Sequence, residues 1–114
     1  MDPALVTAMQ SQAIDIAASF NEQGVANLIW GLATLGVEVD PQLVTAMQSQ
    51  AIDIAATFKS QGVANLIWGL AKLGVEVDPQ LVMAMQSQAI HIAATFNEQN
   101  VANLMWGLAK LGVK

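Results

Sequence analysis

Asp15, Asp53 and His91 recur at a constant interval of 38 residues, and Asn27, Asn65 and Asn103 keep the same interval, as do Trp30, Trp68 and Trp106. These residue types offer three kinds of chemistry. Carboxylates and imidazoles exchange protons, carboxamides bond base edges or main chain, and indoles stack. Acid–base catalysis needs an orienting partner beside each titrating group, and none repeats around positions 15, 53 and 91, so the chain is expected not to be an enzyme. The absence of cysteine excludes a thiol nucleophile, a thiolate metal site and a disulfide scaffold. A single histidine, His91, excludes a multi-histidine metal cage or a histidine triad copied through the chain. No metal or other cofactor is expected.

The interval comes from an internal repeat. Asp2-Pro3, Asp40-Pro41 and Asp78-Pro79 open three units, 2–39, 40–77 and 78–114, and the first two differ only at Ala4/Gln42, Ser19/Thr57, Asn21/Lys59, Glu22/Ser60 and Thr34/Lys72. Periods of 20 to 50 residues mark solenoids, in which no unit buries its apolar face alone and stacked neighbours supply the core. Each unit is punctuated as two helices. The aspartate suits an N-cap and the proline the first helical position. From Leu5 to Phe20, apolar residues recur at spacings of three and four, the period of an amphipathic helix, here helix A. Asn21-Glu22-Gln23 reads as a polar turn, after which Val25 to Leu35 resume the pattern as helix B. Gly36, Gly74 and Gly112 stand where left-handed C-caps belong. No segment alternates with period two. The fold expected is all-α, one α-hairpin solenoid of helix-turn-helix repeats forming a right-handed superhelix.

Composition agrees with a packed domain, because 54% hydrophobic and 11% charged residues suit a core better than a disordered tail. The apolar runs fall short of the roughly 20 residues a membrane span needs, and no basic, apolar-cored targeting segment opens the chain. A soluble protein without a membrane partner is expected, its compartment left open.

At about 100° per residue, helix A presents one polar arc: Ala4, Thr7, Ser11 and Asp15, then Gln42, Thr45, Ser49 and Asp53, then Gln80, Met83, Ser87 and His91. Helix B presents a narrower stripe of Gln23, Asn27, Gly31 and Thr34, repeated as Gln61, Asn65, Gly69 and Lys72 and as Gln99, Asn103, Gly107 and Lys110. Between the first and third units, the changes in helix A fall only at 4, 7, 15 and 19, on or beside the polar arc. A surface that varies over a constant core suits modular recognition, and equally suits free drift of exposed positions. The tryptophans could be stacking platforms, but each sits in an apolar run and is expected in the core. Asn27, Asn65 and Asn103 are expected to tie neighbouring units through main-chain hydrogen bonds, with ligand contact the alternative. Mid-helix Gly31, Gly69 and Gly107 each cost about 1 kcal/mol against alanine, which close helix contact would compensate.

Phe20-Asn-Glu-Gln-Gly-Val-Ala-Asn-Leu-Ile-Trp-Gly-Leu-Ala-Thr-Leu-Gly36, repeated over 58–74 and 96–112, resembles the octotricopeptide repeat, a 38-residue unit of two antiparallel helices. The sharpest features are Gln-x-Val-Ala-Asn-Leu-x-Trp, the Leu-Ala-x-Leu-Gly ending and the period. The resemblance implies a sequence-specific reader of single-stranded RNA. It places RNA contacts on the helix A arc (Ala4, Thr7, Ser11, Asp15, Gln42, Thr45, Ser49, Asp53, Gln80, Met83, Ser87, His91) and more weakly at Gln23, Asn27, Gln61, Asn65, Gln99 and Asn103. The proline-rich acidic stretch frequent before helix A in that family is reduced here to Val39-Asp40-Pro41-Gln42 and Val77-Asp78-Pro79-Gln80.

Charge argues the other way. The net charge is −5, with four lysines and no arginine, whereas RNA affinity draws on cations that neutralise phosphate. Three such units alone are expected to bind RNA weakly, as a fragment of a longer array or a designed consensus would. The competing expectation is a protein-interaction scaffold. Both outer units keep the internal apolar pattern instead of a polar cap, which favours a protein partner or end-to-end stacking of copies into a homo-oligomer.

Overall fold

The local capping rules act as the sequence suggests. In the computed structural model, which describes residues 1–113, Asp2, Asp40 and Asp78 each accept a hydrogen bond at Oδ1 from the main-chain N–H two residues on, at 2.8–2.9 Å, with proline at the first helical turn. Lys114, the last position of the third unit, lies outside the described residues. Six α-helices follow among the described residues: α1 (Pro3–Asp15), α2 (Glu22–Leu35), α3 (Pro41–Asp53), α4 (Ser60–Leu73), α5 (Pro79–His91) and α6 (Glu98–Leu111). Each pair ends at Gly36, Gly74 or Gly112 with φ of +68°, +69° and +77°, the left-handed cap that glycine accepts without steric cost. No strand occurs among the described residues. The molecule is an all-α helical solenoid.

Two boundaries differ from the sequence reading. Helix A stops at Asp15, and Ala17–Ser19, Ala55–Thr57 and Ala93–Thr95 tighten into 3-10 turns. The hydroxyls of Ser19, Thr57 and Thr95 close these turns, donating to the carbonyls of Ile16, Ile54 and Ile92 at 2.7 Å. Glu22 and Gln23 are no turn: Asn21 caps α2 by accepting from Gly24 N–H at 2.8 Å, and both residues lie in its first turn. Asn97 caps α6 with a reciprocal Asn100 contact, whereas Lys59 gives α4 no side-chain cap.

The helices form two layers. Row A is α1, α3 and α5; row B is α2, α4 and α6. Neighbours in row B pack along their lengths, while neighbours in row A touch at fewer points, so each unit is a wedge, narrowest along row B. Glycine permits the close approach. A Cβ on Gly69 would lie 2.8 Å from Ile29 Cγ2 and 3.2 Å from the Ile29 carbonyl, and one on Gly107 would meet Ile67 at 2.7 and 3.1 Å. Gly31, the equivalent position in the first unit, has no neighbour within 4 Å. Between the rows, Leu43, Met47, Phe58, Val63, Ile67, Leu70, Leu81 and Met85 are buried, each contributing about 1.5–3 kcal/mol by leaving water. The core is densest in the middle unit, which has a neighbour on both sides. Leu5 and Met9 are exposed, although Leu43 and Met47, their equivalents in the second unit, are fully buried.

Glutamines bind the units through the main chain. Gln10 Nε2 donates to Glu38 O at 3.1 Å while its Oε1 accepts from Asp40 N–H at 2.8 Å, and Gln48 repeats both bonds on Glu76 and Asp78. Gln50 and Gln88 donate at 2.8 Å to Phe20 O and Phe58 O at the hairpin turn of the preceding unit. The task expected of Asn27, Asn65 and Asn103 is thus carried by helix A glutamines, with Ser60 Oγ of α4 adding a bond to Thr95 O of the following unit at 3.3 Å.

Two predictions follow from this packing. Gly31→Ala gains helix propensity in open space and should raise the urea midpoint by up to about 1 kcal/mol of stability; Gly69→Ala must displace Ile29 and should lower it by about 1–3 kcal/mol less that gain. Equal shifts for the two variants would refute the close contact. Gln48→Ala, which unpairs Asp78 N–H and Glu76 O, should cost about 1–2 kcal/mol in the same assay; an unchanged midpoint would show that water takes the amide's place.

Candidate functional site

Row A carries the polar arc outward. Ala4, Thr7, Ser11, Asp15, Gln42, Thr45, Ser49, Asp53, Gln80, Met83, Ser87 and His91 are all exposed. Two of these hydroxyls are partly committed, since Thr7 and Thr45 donate to Pro3 O and Pro41 O at 3.2 and 3.1 Å. The wide spacing of row A opens a groove of about 610 Å³ between α3 and the start of α5. Thr45, Ser49 and Asp53 line one wall, while Glu76, Asp78 and Gln80 line the other. The structure therefore brings together four of the arc residues, Thr45, Ser49, Asp53 and Gln80. It surrounds them with the carboxylates of Asp53, Glu76 and Asp78 and with no lysine. Such a groove attracts cationic or neutral polar groups and repels phosphate.

Row B carries the second set. A cavity of about 170 Å³ between α2 and α4 is lined by Glu22, Gln23, Asn27, Lys59, Gln61 and Asn65, among others. The amides expected on helix B thus converge in neighbouring units, with Gln99 exposed and Asn103 half-buried in register on α6.

The tryptophans are where the sequence reading needs correction. Trp30 and Trp106 are 43% and 44% exposed and Trp68 is half-buried, so none belongs to the core. They form a row across the three units, with ring centroids 6.5 Å apart at 35° between Trp30 and Trp68 and 6.2 Å apart at 38° between Trp68 and Trp106. Of the glycines assigned to the outward stripe of helix B, Gly69 and Gly107 lie buried in the close helix contact expected to compensate them, whereas Gly31 has no neighbour within 4 Å. The exposed stripe of helix B is therefore Gln23, Asn27, Trp30 and Thr34, then Gln61, Asn65, Trp68 and Lys72, then Gln99, Asn103, Trp106 and Lys110. Helical angles carried this signal: at 100° per residue, position 30 falls about 20° from position 23 on the side away from 31, directly beside the arc of 23, 27 and 34. Hydropathy obscured it by sorting tryptophan with buried residues, whereas an indole combines a large apolar face with a polar N–H that favours a half-wet site. Lys72 and Lys110 close the stripe in the last turns of α4 and α6, where a cation complements the helix dipole.

Among the described residues no helix is long and apolar enough to cross a membrane, and no group of three or more His, Asp or Glu could hold a metal ion. No curated protein matches the chain significantly. A family model does, over residues 1–114: the family described as RNA-editing substrate-binding complex 6 protein, RESC6. A match that spans both rows of all three hairpins places this helical array in that family: the chain belongs to the RNA-editing substrate-binding complex 6 proteins.

Proposed function

We propose that the chain is a non-catalytic RNA-holding module that works inside an RNA-editing substrate-binding assembly, each hairpin presenting a few side chains to a single strand in the manner expected of octotricopeptide-like arrays. The family's description supports an RNA-related role with protein partners. The observation that carries the reading is the recurrence, in register on every unit, of exposed polar positions whose side chains differ between units: Ala4, Gln42, Gln80; Thr7, Thr45, Met83; Asp15, Asp53, His91. Rows A and B form opposite layers, so a strand followed along one does not touch the other, and both are candidate surfaces. A carboxylate at position 15 or 53 can accept from an exocyclic amine, and His91 can bond or stack on a base. Selection from randomised single-stranded RNA at low salt tests this. Retention of single-stranded RNA is expected, with a short motif enriched, and shifted by Asp53→His, only where row A takes part in the contact. If neither this chain nor an array lengthened with its own units retains any RNA, the reading is wrong.

A second reading, stacking of units end to end, has its own observation. On the last hairpin Ile90, Val101 and Met105 are exposed around an apolar cavity of about 220 Å³, although Val63 and Ile67, the counterparts of Val101 and Met105, are buried inside the array. At the other end Gly31 stands open where Gly69 and Gly107 receive Ile29 and Ile67. A further unit, from the same chain or a second copy, would seat Met105 on Gly31 and repeat the internal contact, a geometry that does not close on itself. Light scattering from micromolar to millimolar concentration should show growing size, which Gly31→Ala suppresses. A strict monomer across that range removes this reading.

A further inference from the structure

We infer that the tryptophan row of layer B is a stacking site for the bases of single-stranded RNA, with Lys72 and Lys110 meeting the phosphates. The inference rests on the RNA-holding reading and specifies where the strand is gripped. Three independent features converge on it.

The first is exposure. Trp30 and Trp106 leave more than two-fifths of their surface to solvent, in the same register on every unit and beside amides that can bond base edges. The second is spacing. Successive indoles stand with ring centroids 6.5 and 6.2 Å apart, tilted by 35° and 38°, within the range of direct aromatic contact, so the three rings form one continuous aromatic strip along which successive bases can stack. The third is charge. Positions 23, 27, 30 and 34 and their equivalents hold no acid and include Lys72 and Lys110, one helical turn beyond Trp68 and Trp106. Acids on layer B sit at the far end of the stripe, where Glu22 and Glu98 begin α2 and α6. The groove on row A is walled by Asp53, Glu76 and Asp78. A net charge of −5 is thus distributed so that layer B receives a polyanion and the row A groove does not. Trp, Asn and Gln are identical in all three units, so the row binds bases without choosing among them, as aromatic platforms do elsewhere.

The chain has three tryptophans and no tyrosine, so its indole emission reports on this row alone. The experiment titrates the 114-residue chain with single-stranded oligouridylate, oligoadenylate and an RNA duplex at low salt, following emission and filter retention together. Both single strands should be retained and quench emission with similar affinity, and the duplex should do neither. Trp106→Leu, checked for helix content by circular dichroism, should weaken retention by about fivefold or more. Lys72→Gln and Lys110→Gln, which leave the packing intact, should each lower the salt slope by about 1. Retention without quenching, unaffected by Trp106→Leu, would place the strand elsewhere and overturn this inference while the RNA reading stands. Retention of no RNA would overturn both. Retention and quenching by the duplex equal to those by the single strands, although its bases are already stacked on one another, would overturn the inference as well.

Discussion

The approach of α2 to α4 and of α4 to α6, with Ile29 against Gly69 and Ile67 against Gly107, is the constraint on which the rest of the molecule depends. A side chain as small as alanine at either glycine would hold the helices apart. Because they meet so closely, layer B becomes the narrow edge of each wedge and brings neighbouring tryptophans within 6.5 Å of one another. The same closeness leaves row A spread, which is why a groove opens there and why glutamine amides, reaching across to linkers and turns, hold that side together. One repeated glycine thus shapes both surfaces.

What the sequence discloses and what it hides divide along physical lines. Helix starts at Asp-Pro and stops at left-handed glycine are local events governed by one or two side chains, and so they are legible wherever the residues stand. The helix A arc is legible for a similar reason, since its members sit on one face by angular arithmetic alone. The early end of helix A is not, because Ile16 and Ala17 continue the apolar rhythm while the backbone has already tightened at Ala17–Ser19. Gln10 and Gln48 are opaque too. Their partners lie 28 and 30 residues away, and nothing near either residue announces a buried amide. The tryptophans were hidden by averaging: a scale that scores an indole as apolar cannot show that half of it is wet.

The distribution of charge changes what the overall acidity means. Lys72 and Lys110 lie on layer B, whereas Asp53, Glu76 and Asp78 gather around the row A groove, so the two layers present different electrostatic faces to whatever approaches. The constancy of Gln, Asn and Trp on layer B and the variability of positions 4, 7 and 15 and their equivalents on row A follow the same division.

The fully buried residues of the middle hairpin and the bare apolar residues at both ends have a thermodynamic corollary. Since each hairpin gains its core only from the hairpins beside it, stability behaves as a chain of couplings between adjacent modules. Opening begins with the outermost modules, and every added copy deepens the protection of those within. The persistence of the fold and the grip proposed for layer B therefore scale with the same variable, the number of hairpins in the row.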